Sequence, residues 1–287
     1  MHTPEQITGW RTVTDAVHLV GGKIVLQLMH VGRIAPRYNK DTDAETVAPS
    51  SIRADVQLYS DSNGMVDVET PRELETAEIP GVIAEYRQAA LNAVSAGFDG
   101  VELHCTSGYL PMQFLSTGTN RRRDGYGGAL HGRLRFVVET PEEIASTIGS
   151  GKVGFRICPG HPFNDTHDEN PAQTYAALLD AVSPLRLAYL HVIRSPIVGL
   201  DAYALGRRHF SGPLTVNVEF DRTRAQQALT DGIGEAVSFG RAFIANPDLV
   251  RRFFDDAPLA DFNPQTVYTP GAVGYTDYPP LVPRSAM

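Results

Sequence analysis

The run GFDGVELHCTSGYLPMQFLSTGTNRRRDGYGGALHGRLRFVVE, Gly97 to Glu139, decides how the chain is read. It opens at a helix terminus, passes into the short apolar strand GVELH, and leaves that strand through a histidine. A long loop rich in Gly, Asn and Arg follows, carrying two tyrosines. His104, Ser107 and Tyr109 fall within six residues of one strand end. A purely structural turn needs none of those side chains, so the strand end is read as a site. Side chains alternate along a strand, so Glu102 and His104 share one face and Val101 and Leu103 the other. If the apolar pair packs on helices, Glu102 and His104 point inward. A buried Glu102 then needs a cation, and Arg156 on the next strand is the expected partner.

Outward from this stretch the same pattern repeats. Thr3 and Gln6 have capping-box spacing with Pro4 at the first helical position. Ile7, Trp10, Val13, Val17 and Val20 recur at helical intervals until Gly21–Gly22. The apolar run KIVLQLMH (23–30) follows. A helix from about Pro80 to Ala96 leads into GVELH, and one around Arg135–Ile148 leads into VGFRIC. A helix started by Asn170–Pro171 leads into AYLHVIR. Asp201 to Phe210 leads into PLTVNV, an Asp221-capped helix leads into EAVSFG, and a last helix follows Pro247. Strands apolar throughout and separated by amphipathic helices predict a parallel sheet covered on both faces. The polar stretch Tyr38 to Thr76 has no periodicity and is read as an excursion, a hairpin or lid over one face. No linker cuts the chain, so a single domain over 1–287 is expected. Six strands fit either an open doubly wound sheet or a (β/α)₈ barrel short of two staves. No strand is followed by the GxGxxG turn of the dinucleotide-binding open sheets.

Composition narrows the partners. The 287 residues carry a net charge of −8, with 42% hydrophobic and 20% charged residues. That balance is ordinary for a globular protein and offers no basic face for nucleic acid. Arg121–Arg122–Arg123 is followed at once by Asp124, which reads as local anchoring. Two cysteines, Cys105 and Cys158, are too few for a disulfide framework. No apolar run approaches 18 residues and no secretory leader is evident, so neither membrane insertion nor export is expected and a cytoplasmic location is the default.

In a parallel barrel the site lies at the C-terminal strand ends. The polar residues there are Gln27 and His30, His104, Ser107 and Tyr109, Arg156, His191 and Arg194, Asn217, and Gly240–Arg241. His161, His167, Asp168 and Glu169 match no standard metal spacing and are read as a solvated loop, so no metal is expected. No Ser-His-Asp or Cys-His arrangement is assignable.

Taken jointly, HxxxGYLxxQFLxxxxNxRxDxYGGxxxxRxRFxxE from His104 to Glu139 resembles the signature of the old yellow enzyme family of flavin-dependent ene-reductases. Also similar to that family are LQLMHVGR (26–33), VGFRICP (153–159), YLHV (189–192), SFGRAFIANPDLVRR (238–252) and GYTDYP (274–279), in the family's order. The resemblance implies a (β/α)₈ barrel binding FMN. NAD(P)H reduces the flavin, which passes hydride to the β-carbon of an α,β-unsaturated carbonyl compound. It places the carbonyl-binding pair on His104 and Ser107 and the proton-donating tyrosine on Tyr109. Gln27 matches the flavin-ring contact, and Arg156 the residue beside the pyrimidine edge. Gly240 and Arg241, with Asn217 before them, match the phosphate site, and Tyr275 an aromatic over the substrate cavity.

The resemblance also has gaps. It begins at the helix before the family's third strand, which leaves about six of eight strand–helix units and two unpaired edges. Closure by a homodimer is one expectation from that. After the seventh family strand the phosphate loop, usually small and glycine-containing, reads Asn217–Val218–Glu219. An inward Glu219 at about 6 Å would oppose a phosphate by roughly 3 kcal/mol per charge pair at an effective dielectric of ~20. Ser107 is shorter than the family's Asn or His, and has one donor where Asn has two. Met29 stands where an aromatic is common, and His131–Gly132 where Glu–Asn is. Two other readings therefore stay open: a flavin-free barrel using His104 and Tyr109 for isomerase or cyclase chemistry, and an inactive remnant.

Overall fold

The first helix shows how local chemistry sets an element. Thr3 accepts from the Gln6 N–H at 3.2 Å, and the Gln6 side chain takes the Thr3 N–H at 3.2 Å, which satisfies two orphan donors of the first turn. Helix α1 runs Pro4–Leu19. It docks through Thr14, fully buried, whose Oγ1 donates to the Ala96 carbonyl at 2.6 Å. Gly97 follows at φ +91°, where a Cβ would meet that same hydroxyl at 2.7 Å. Because the contact runs through Thr14 and a Trp10–Phe98 ring pair, Val13 and Leu19 stay exposed instead of forming a buried stripe.

The computed structural model describes residues 2–267 and 270–281. The chain divides into two compact units, Met1–Val216 and Asn217–Met287. In the first unit, strands β1 (Val25–Leu28), β2 (Gly100–Cys105), β3 (Val153–Ile157), β4 (Tyr189–Ile193) and β5 (Leu214–Asn217, ending at the boundary) lie in that spatial order. The first four pair in parallel. Gln27 stands opposite Glu102, Glu102 opposite Gly154, and Gly154 opposite Tyr189. One tier higher, His104 stands opposite Arg156 and Arg156 opposite His191. Parallel neighbours need crossover connections, supplied by α2 (Ile79–Ser95), α4 (Leu130–Ile148), α5 (Pro171–Val182) and α6 (Ala202–His209), with the short α3 (Leu110–Leu115) after β2.

Alternation then divides the sheet. Val101, Leu103, Cys105, Val153, Phe155, Ile157, Leu190 and Val192 are all 0% exposed and join the core shared with the helices. Each large apolar side chain there contributes about 1.5–3 kcal/mol. The opposite face carries Gln27, Glu102, His104, Arg156, Tyr189 and His191.

Two boundaries differ from the sequence pattern. The loop expected after GVELH holds α3, started by Pro111 near its N-terminus. Helix α4 begins at Leu130 rather than near Arg135, because Ala129 offers no side-chain cap and Gly132 in its first turn obscures the start. Segment 38–76 contains an antiparallel hairpin, Gln57–Ser60 with Gly64–Asp67, and a short parallel pair, Val47–Ala48 with Arg72–Glu73. Arg122 anchors it. Buried at 5% exposure, its guanidinium reaches the Pro49 and Leu74 carbonyls and the Asp124 carboxylate.

The second unit holds α7 (Arg222–Thr230), β6 (Ala236–Ser238), α8 (Arg241–Ala245) and α9 (Leu249–Asp255). Asp221 caps α7 through the Arg224 N–H at 2.8 Å. Buried Arg252 ties this unit together, bonding Asp248 at 2.6 Å and the Pro258 and Pro279 carbonyls at 2.7 and 3.0 Å. No helix among the described residues is long and apolar enough to cross a membrane.

Candidate active site

The polar face of the first unit's sheet is built around Glu102, 6% exposed. Its carboxylate accepts from the Gln27 amide at 2.6 Å and from His191 Nδ1 at 2.9 Å. The expected partner was Arg156. Gln27 donates because the strand register sets it directly opposite Glu102. Arg156 acts on Glu102 through its charge. Burial pushes the Glu102 carboxyl up, and the hydrogen bonds from His191 and Gln27 together with the Arg156 charge outweigh it, leaving the group below its ordinary range.

Tyr189 completes this tier. A Cβ on Gly154 would sit 2.2 Å from Tyr189 Cζ, so only glycine lets the ring cross β3 toward Glu102. Burial raises the Tyr189 phenol, and the charge and hydrogen bonding of Glu102 raise it further. A carboxylate can only accept, so it fixes the Gln27 amide with its nitrogen inward and Oε1 as the outward acceptor.

Above this floor stands His104, 6% exposed at the end of β2. Its Nε2 lies 3.0 Å from Thr106 Oγ1 and 3.3 Å from Ser107 Oγ, and the two hydroxyls are 3.0 Å apart. Burial, and then the Arg156 charge, lowers its pKa to about 4, so the imidazole is neutral at physiological pH. The Tyr109 ring lies 5.4 Å from the His104 ring, centroid to centroid, tilted by 43°.

The loop that presents these groups is held from behind. Ser107 adopts φ +60°, a region that Asn and His tolerate better than Ser. Asn164 Nδ2 grips the Ser107 carbonyl at 2.7 Å. Gly108 at φ +70° has no room for a Cβ, which would meet the Phe163 carbonyl at 2.3 Å. Arg33, 1% exposed, bonds the Asn164 and Asp165 carbonyls and, on its other side, that of Ile52. The 161–169 segment is a loop with His167 and Glu169 exposed, as expected, and its backbone is also anchored to the neighbouring 117–118 turn. Gly118 N–H bonds the His167 carbonyl at 2.8 Å, Thr117 N–H bonds Asp168 Oδ1 at 3.2 Å, and the Glu169 N–H bonds Thr117 Oγ1 at 3.0 Å. Among the described residues no group of three His, Cys, Asp or Glu side chains is placed to hold a metal.

Gln27, Arg156, His104, Ser107 and Tyr109 are thus all in the first unit. Asn217, Gly240, Arg241 and Tyr275 lie in the second. There Asn217 Nδ2 bonds the Ser238 carbonyl at 3.0 Å and its hydroxyl at 2.8 Å, Gly240 precedes α8, and Tyr275 is 42% exposed. Val218 and Glu219, both exposed, adopt φ +86° and +64°, backbone that glycine takes without strain. Thr106, Tyr189 and Asn164 were not singled out in the sequence. Thr106 had a signal, since alternation sets residue 106 on the face of residue 104; so did Tyr189, through the glycine inside VGFRIC.

Comparison with known proteins agrees across the chain. The model of the NADH:flavin oxidoreductase / NADH oxidase family matches residues 1–259. The chain is 38% identical over 288 residues to 12-oxophytodienoate reductase 1 of Oryza sativa subsp. japonica, covering 97% of this chain and 74% of that protein. It superposes on morphinone reductase in complex with tetrahydroNAD with TM-score 0.92 and 41% identity, over 98% of this chain and 79% of the other. With the old yellow enzyme homologue from Zymomonas mobilis the TM-score is 0.93 and the identity 36%, over 97% and 80% of the two chains. The curled parallel sheet has the α/β architecture of these barrel proteins.

Proposed function

The chain belongs to the NADH:flavin oxidoreductase / NADH oxidase family, within the old yellow enzyme group, and on that premise we propose that it is an FMN-dependent ene-reductase with Tyr109 as its proton donor. The observation that carries this reading is the grouping of His104, Ser107 and Tyr109 at one strand end beside Arg156, above a floor that turns the Gln27 carbonyl outward.

The donor set fits the cofactor. Gln27 and Arg156 offer an acceptor and a cation to a flavin ring, with the Arg156 charge balanced by Glu102. Asn217, Gly240 and Arg241 would hold the phosphate, and Tyr275 would border the substrate. Bound FMN supplies a hydride, taken from NAD(P)H, for the β-carbon of an α,β-unsaturated carbonyl compound. The protein's own part is electrostatic and protonic. His104 and Ser107 donate to the carbonyl oxygen, where negative charge develops as the β-carbon is reduced. His104 suits this because it is neutral and keeps its N–H across physiological pH. The Tyr109 hydroxyl gives the proton to the α-carbon. The buried, unbridged thiols of Cys105 and Cys158 favour a reducing, cytoplasmic setting.

Tyr109→Phe tests the reading. In rapid mixing, oxidation of the reduced enzyme by an enone should slow by on the order of 10²–10⁴. Reduction by NAD(P)H should be unchanged. An unaltered enone step, or equal losses in both half-reactions, overturns the assignment.

A further inference from the structure

Glu102 stands behind Gln27, and the chemistry assigned above makes no use of its charge on the ligand. Both of its oxygens are engaged. Oε1 accepts from Gln27 Nε2 at 2.6 Å and Oε2 from His191 Nδ1 at 2.9 Å, with the Tyr189 hydroxyl as a further donor. A carboxyl group held by donors on every side is the ionised one. Burial works against that charge, and the donors together with the Arg156 guanidinium outweigh it.

Among the residues of the four paired strands, Glu102 is the one acid and Arg156 the one lysine or arginine. The polar face thus carries a carboxylate and a guanidinium on adjacent strands. That pairing matters for a ligand whose own charge changes. On the ene-reductase reading, hydride, one proton with two electrons, passes from NAD(P)H to the bound flavin and then to the β-carbon. Tyr109 gives the α-carbon its proton. The first transfer adds one negative charge at the ring and the second removes it. Arg156 favours the added charge and Glu102 opposes it. The opposition reaches the ring through Gln27, because an amide that gives its N–H to a carboxylate presents a more negative Oε1 on its other side.

We propose that Glu102 is a positioning residue that acts through Gln27 to hold down the reduction potential of the bound flavin, and so makes the reduced enzyme a stronger hydride donor to the enone. This rests on the ene-reductase reading for the identity of the cofactor and its acceptor. A unit charge acting over about 10 Å at an effective dielectric of ~20 changes an equilibrium roughly tenfold or more. Glutamine at 102 keeps the size of the side chain and an acceptor for Gln27, and removes only the charge.

The test measures the midpoint potential of the FMN-loaded full chain, against a dye of known potential, in wild type, Glu102→Gln and Tyr189→Phe. Glu102→Gln should favour the reduced form at least tenfold, which is about 30 mV upward for a two-electron couple. It should slow reoxidation by cyclohexenone without slowing reduction by NAD(P)H. Tyr189→Phe keeps the carboxylate but removes a donor that spreads its charge, so it should lower the potential by a smaller amount. A charge effect requires these opposite signs, whereas a loosened floor moves both variants the same way. A potential unchanged or lowered in Glu102→Gln overturns the proposal, as does one unchanged or raised in Tyr189→Phe. Should Glu102→Gln not fold, Tyr189→Phe alone decides. If the protein binds FMN and shows both shifts but no enone reoxidises it, the role of Glu102 stands and the ene-reductase reading falls. A chain that takes up no FMN overturns both.

Discussion

The most quantitative consequence of the site concerns acid. His104 is buried beside the Arg156 cation, and its pKa lies at about 4 against an ordinary 6.5. That difference corresponds to about 3 kcal/mol between the two protonation states. The sign follows from proton counts. Between about pH 6.5 and 4 the unfolded chain holds more protons on this residue than the folded one, so stability rises with pH across that window. Acidification from pH 7.5 to 4 should therefore remove up to about 3 kcal/mol through His104 alone. Glu102, held below its ordinary range, loses stability in the same direction at still lower pH. The comparison that isolates the histidine is wild type against His104→Asn, by urea denaturation at half-unit steps from pH 4 to 7.5. The gap between their stabilities should narrow by about 2–3 kcal/mol as pH falls, with most of the change below pH 6.5. Enone turnover should show no acid limb near pH 6.5 assignable to His104. Parallel pH profiles for the two proteins, or an NMR titration of His104 near 6.5, would refute the account of a desolvated imidazole held neutral beside a guanidinium.

Other expectations concern the floor and the second unit. Gly154→Ala forces a Cβ to within 2.2 Å of the Tyr189 ring. It should destabilise the fold by about 1–3 kcal/mol in urea and weaken FMN retention, since Tyr189 is displaced toward Glu102 and Gln27; unchanged stability would show that the ring does not cross β3. Val218 at φ +86° is a β-branched residue in left-handed backbone, strained by about 1–3 kcal/mol. After glycine's larger entropy loss, Val218→Gly should still stabilise the protein by about 1 kcal/mol in thermal melts, and a lower melting temperature would contradict the conformation described.

Much of this architecture is legible from residue order because it rests on local rules. The Thr3–Gln6 box, the Asn170 and Asp221 caps, and the apolar strands between amphipathic helices follow from short-range chemistry. What escapes is whatever depends on register between strands distant in sequence. Glu102 has several plausible donors on other strands, and only the folded structure shows that Gln27, 75 residues away, and His191, 89 residues away, bond it. The 161–169 segment was illegible for a related reason. Its polar composition matches a solvated loop, and its ties to the 117–118 turn and to the Arg33 guanidinium join residues far apart in sequence, which leaves no local signature. Thr106 carries only the period-two alternation as a signal, because a threonine at a strand end is otherwise an ordinary β-propensity residue.

The central claim is that this polar face holds a flavin and uses it. The visible spectrum of the purified chain, before and after reconstitution with FMN, tests that most directly. The account predicts a yellow protein that releases FMN on denaturation, bleaches with NADH or NADPH under anaerobic conditions, and regains its colour on addition of an enone. A colourless protein that takes up no FMN would contradict it.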